Sequence, residues 1–278
     1  MSRSEKVTDH LSWKSIRPLY RPARIHRPRP TGRPPRLPYD EGVANWFRRR
    51  RSATPAPVVG SQRSTVTAKV ELADLTPEVD AYLGRAAYLQ LALFEDVSRA
   101  ISAAPSTVAK TSLARVAGPH LDAHRGLVAE LVSRGVDPAV AMEPYRLDID
   151  DFQRRTLGQD WFETLTTCYV TAGFLTDFFL GLAAGLPSEL KARVEALLDV
   201  EAGEDVLIQE LRDGIDANPR LGSRLAMWGR RLVGDTMLVA RSALGVGDEA
   251  PGEERIEPVF TELVAAHTRR MDALGLTA

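Results

Sequence analysis

The chain has 278 residues, 44% hydrophobic and only 6% aromatic, with one cysteine and a formal charge of −1. One thiol, Cys168, excludes a disulfide framework and a Cys-based zinc site, so a reducing, cytoplasmic location is expected. The N-terminus lacks an apolar leader segment, and the most apolar run, Tyr169–Leu186, contains Asp177, so it reads as a core helix and no membrane partner is expected.

The near-neutral charge conceals a division. Residues 1–63 hold 15 Lys/Arg, 4 Asp/Glu and 9 of the 18 prolines, a balance of +11. The remainder, with 21 basic and 33 acidic residues, stands at −12. Stretches such as Arg48-Arg-Arg-Arg51 cannot bury enough apolar surface to fold alone. Residues 1–63 are therefore read as a disordered basic tail, and 64–278 as a helical domain. The tail suits an electrostatic arm for RNA, DNA or another polyanion, a solvated linker, or translation from a start codon assigned too far upstream.

Helices follow in order. Thr76-Pro77-Glu78 predicts a helix start with Thr76 as N-cap, and a helix to Ala103 whose apolar side holds Ala87, Leu91, Phe94, Glu95, Ser98 and Ile101. Ser106 caps a second helix to about 134, carrying His120 and His124 on its apolar side, with Pro119 predicting a kink or a late start. Gly135 predicts the C-terminal stop. Residues 136–159 read as a long crossover with one short amphipathic piece, Asp148–Arg155. Asp160 and Glu163 form a capping box ahead of a third helix to Ala184, apolar nearly all round except for Asp177. A fourth helix, about 187–217, places Glu201, Glu204 and Asp205 beside Leu197, Leu198 and Ile208. Two further helices, about 220–243 and 253–274, complete the chain.

The fold class that follows is all-α: a four-helix bundle, about 76–217, with a long crossover between its second and third helices and two additional C-terminal helices. No Gly-rich phosphate loop, nucleophile elbow or alternating strand pattern competes with it. All four bundle helices carry ionisable groups on the side expected to be buried: Glu95; His120 and His124; Asp177; Glu201, Glu204 and Asp205. Inward carboxylates and imidazoles from four helices are what a dinuclear metal centre requires. Each also has a plainer reading, as a half-exposed acid, an interface histidine or an arginine's partner. Asp177 is the hardest to place on a surface, because its i±4 neighbours are Gly173 and Gly181.

Several stretches carry a family resemblance: Ala87-Tyr-Leu-Gln-Leu-Ala-Leu-Phe-Glu95, Arg134-Gly-Val-Asp-Pro138, Tyr169-Val-Thr-Ala-Gly-Phe-Leu-Thr-Asp-Phe178, Leu225-Ala-Met-Trp-Gly-Arg-Arg-Leu-Val-Gly-Asp235 and His267-Thr-Arg-Arg-Met-Asp-Ala-Leu-Gly-Leu276. Over about 76–276 the chain resembles the ferritin-like superfamily, and more narrowly an actinobacterial branch similar to the MiaE-type tRNA hydroxylases. The resemblance implies a di-iron cofactor, oxidation of a modified tRNA nucleoside, and a tRNA contact through the basic tail. A homodimer is compatible with it.

Residue by residue, the superfamily's iron site maps to Glu95 on the first helix and His124 on the second, where Leu121 replaces the expected Glu. It maps to Asp177 on the third helix and to Glu201 on the fourth, where Glu204 replaces the expected His. His120 and Asp122 are additional candidates for the gap at Leu121. Two main functions follow, with a bundle storing or buffering metal, similar to ferritin, as a third. One is a metal-dependent oxidoreductase. The other is a non-catalytic bundle that kept the scaffold, lost ligands, and serves a protein-interaction or regulatory role.

Overall fold

The structure is a computed structural model and describes residues 71–199, 203–244 and 253–277, with backbone alone for 253–256. These residues fall in the compact unit Thr65–Ala278. The basic tail and Glu201 lie outside the described residues.

Among the described residues, eight α-helices and one 3-10 turn occur without a strand: the turn Leu72–Leu75, then α1 Val79–Ala103, α2 Thr107–Ser133, α3 Pro138–Arg155, α4 Trp161–Ala183, α5 Ser188–Leu198, α6 Glu204–Ala217, α7 Pro219–Leu244 and α8 Glu253–Ala273. The ends follow local chemistry. Ser106 accepts a hydrogen bond from the Ala109 amide at 3.1 Å and starts α2. Gly135, at φ +75°, ends it, and the Val136 amide returns to the Leu131 carbonyl. Asp160 starts α4 by accepting from the Glu163 amide at 3.0 Å. The Glu163 carboxylate reaches back to the Gln159 amide rather than to Asp160, so the expected capping box is displaced by one residue.

Four expectations about the helices change. Thr76 is not an N-cap; its hydroxyl donates to the Ala73 and Leu182 carbonyls and ties the opening turn to the end of α4. The late start allowed for at Pro119 does not occur, since the helix runs from Thr107 with Pro119 inside it. The crossover is not mostly loop. It holds the 18-residue α3, started by Asp137, whose side chain accepts from the Ala139 and Val140 amides. Pro144 falls within α3 on its exposed side, where water can satisfy the carbonyl one turn back, while Tyr145, Ile149 and Phe152 are buried. The single fourth helix becomes α5 and α6, with buried Gly203, at φ +122°, preceding α6. A Cβ on Gly203 would sit 2.9 Å from Val116 Cγ2, so a glycine is needed for both the turn and the approach to α2.

α1 packs against α2 and α3 on one side and α4 on another, while α4 also touches α5, α6, α7, α8 and the 3-10 turn. Helix α4 is therefore central. Leu165 and Val170 join Leu113, Leu211, Leu225, Leu232 and Met271 in one core cluster. Phe174, Leu175 and Phe178 join Tyr82, Leu83, Ile149 and Phe152 in the other. Composition alone would let α4 cross a membrane, but 67% of its most apolar window is buried within the bundle, as a core helix requires.

Candidate functional site

Asp177 lies in the second half of α4, and its counter-ion is Arg270 of α8. Arg270 Nη1 stands 2.9 Å from Asp177 Oδ2, with the two side chains 17% and 33% exposed. Arg270 Nε lies 3.8 Å from Glu204 Oε1 at the start of α6. The guanidinium crosses α4 directly over Gly173, where a Cβ would fall 2.1 Å from Nε. Nε and Nη1 are buried and make no hydrogen bond of regular geometry, so the pairing is mainly charge–charge.

Other polar groups surround this pair. The Tyr169 hydroxyl donates to the Arg270 carbonyl at 3.3 Å, and burial, then the charge of Glu204, pushes the phenol up to about 12. One turn before Arg270, His267 is buried, and neither ring nitrogen has a hydrogen-bond partner. Burial, reinforced by the Arg270 charge, brings it down to about 4. His120 of α2 is also buried, with Nδ1 2.8 Å from Gln90 Oε1, and burial brings it down to about 4. A cavity of about 230 Å³ is bordered by His120, Tyr169, Asp177, Glu204 and Arg270. A second cavity, of about 410 Å³, borders Asp177 and is walled by Leu72, Gly181, Val259 and Leu263.

The structure thus brings His120, Asp177 and Glu204 to one cavity. It does not bring the other candidates there. Glu95 is exposed and borders a separate cleft with Tyr88, Asp150 and Gln153. His124 is half-buried, with Nδ1 2.9 Å from the Ala87 carbonyl oxygen, which it can serve as a donor. Asp122 is exposed and pairs with Arg125 at 3.2 Å. Glu204 and Asp205 are exposed, and α6 buries Leu207 and Leu211 instead, so the expected inward phase of the acids does not hold. Glu201 lies outside the described residues.

The inward acid of α1 is Asp96, 5% exposed, which accepts from Arg99 at 2.5 Å and from Gln153 Nε2 at 3.1 Å. Burial pushes it up to about 6 despite Arg99. Its signal was in the sequence: Asp96 follows Leu89 and Leu93 at seven and three residues, one position out of phase with the face assigned to Glu95. Arg270 was also findable, because Leu263, His267, Arg270 and Leu274 share one side of α8.

Among the described residues, no three His, Cys, Asp or Glu side chains are grouped to hold a metal ion. Among the described residues, the candidate donors do not come together for a dinuclear iron centre: Asp177 and Glu204 face a guanidinium, His124 and Asp122 have other partners, and Glu95 borders a separate cleft.

Among the described residues the chain is an all-helical bundle around one central apolar helix, the architecture of the ferritin-like class. The chain belongs to the ferritin-like domain family of actinomycetes, whose family model matches residues 75–247. Arg270 lies beyond the matched stretch, on α8. No curated protein matches the chain.

Proposed function

We infer that this chain is a non-catalytic ferritin-like bundle with a binding or regulatory role, in which an arginine neutralises two carboxylates that the sequence offers as metal ligands. The observation that carries this reading is the 2.9 Å contact of Arg270 with Asp177, with Glu204 on the other side of the same guanidinium. Two clustered divalent cations need several anionic ligands to offset their charge. Here two of the available carboxylates already offset a fixed positive charge. A guanidinium stays protonated throughout the ordinary pH range and cannot activate dioxygen.

The competing reading is a di-iron hydroxylase acting on a modified tRNA nucleoside. It requires Asp177 and Glu204 to leave Arg270 and join donors that the described structure keeps apart. Anaerobic loading with ferrous iron, desalting and elemental analysis separate the two. The non-catalytic reading predicts well below one iron per chain. Stoichiometric iron, lost in Asp177→Ala, would overturn it.

A further inference from the structure

We propose that the cavity among α2, α4, α6 and α8 binds a small aliphatic amine in its ammonium form. This rests on Arg270 being the resident cation, because that leaves a cavity with defined charge and defined open valences.

Charge is the first ground. Asp177, Asp199 and Glu204 border the cavity, and among the described lining residues Arg270 is the single cation facing them. With a neutral imidazole at His120, the lining carries a surplus of negative charge, which repels an anion and attracts a cation.

His120 supplies an independent second ground. It is 4% exposed and borders the cavity. Its Nδ1 faces the amide oxygen of Gln90 at 2.8 Å, so Nδ1 carries the hydrogen and donates it. Nε2 is then an unprotonated acceptor, and among the described residues no group hydrogen-bonds to it. An acceptor left open at a cavity wall is matched by an N–H donor. An ammonium group has three donors and no acceptor, so it can serve Nε2 and a rim carboxylate together.

Size and walls give the third. Val116, Ala172, Leu180 and Leu207 form aliphatic sides. The volume is about 230 Å³. At about 30 Å³ per water-sized group, that accommodates roughly seven non-hydrogen atoms. A short alkyl chain bearing one or two ammonium groups meets these dimensions. A metal ion would leave the aliphatic walls unused.

The test is calorimetric titration of the full chain with 1,5-diaminopentane and n-pentylamine, with 1-pentanol as the uncharged comparison and manganous chloride as the metal. The proposal predicts saturable one-to-one binding of an amine and none of 1-pentanol. It predicts at least tenfold weaker binding in Asp199→Asn and in Glu204→Gln, both at exposed positions that should fold normally. His120→Phe, which keeps the ring and removes the acceptor, should weaken binding similarly. Amine binding that is absent, or unchanged in all three variants, overturns the proposal. So does equal binding of 1-pentanol, which would mark a merely apolar cavity, or manganous ion binding that excludes the amine. A failure here without stoichiometric iron loading leaves the Arg270 reading standing; iron loading removes that reading on its own terms.

Discussion

Two buried histidines make the pH response of this fold unusual at the residue scale. His120 and His267 are each brought from the ordinary 6.5 to about 4, His120 by burial and His267 by burial and then by Arg270. Between about 6.5 and 4 the unfolded chain binds protons at these positions and the folded chain does not, so stability falls as pH falls through that window. Asp96 works the other way. Burial raises it from 3.8 to about 6, so the folded state binds its proton first, and this group adds stability as pH falls across that range. Two histidines against one carboxyl predict a net loss. The urea midpoint should drop between pH 7 and pH 4.5, and less so in His267→Phe. A midpoint that held or rose over this interval would show that the imidazoles are not buried as neutral groups.

At the scale of elements, the seat of the Arg270 side chain of α8 on α4 is set by Gly173. Gly173→Ala places a methyl 2.1 Å from Arg270 Nε. Overpacking costs about 1–3 kcal/mol. Alanine's helix preference returns about 1 kcal/mol. Gly234 of α7 is the matched control, since a Cβ there meets nothing within 4 Å. We expect Gly173→Ala to lower the thermal midpoint and Gly234→Ala to raise it; movement in the same direction would remove the steric role of Gly173.

The elements also show what was legible beforehand. Helix α4, α7, α8 and the stops at Gly135 and Ala103 follow from apolar periodicity and cap residues. Helix α3 falls in the expected crossover, where only Asp148–Arg155 reads as amphipathic; Pro144 lies inside the helix but faces solvent and breaks nothing. The face that includes Leu91 and Phe94 points to Glu95, whereas the buried acid is Asp96, one position and about 100° round the helix. Local pattern places Arg270 on the inward side of α8 but does not pair it with Asp177. Asp177 and Arg270 are far apart in the chain and meet only through the docking of α8 on α4.

For the whole molecule, the account has one centre: a helical scaffold of the ferritin-like family in which α8, beyond the matched stretch, delivers a cation to the inward acid of α4. The large negative balance after residue 63 gives that cation a wider setting, since the domain carries more carboxylates than it can neutralise. A double-mutant cycle on Asp177→Asn and Arg270→Met, read by urea unfolding with and without ferrous iron, tests this most directly. Because the pair is partly solvent-exposed, its coupling is expected near the lower end of the roughly 0.5–3 kcal/mol seen for contacting residues. The account predicts about 1 kcal/mol of favourable coupling, unchanged by iron. Coupling indistinguishable from zero, or a wild-type stability that rises with iron and is lost in Asp177→Asn, would contradict it.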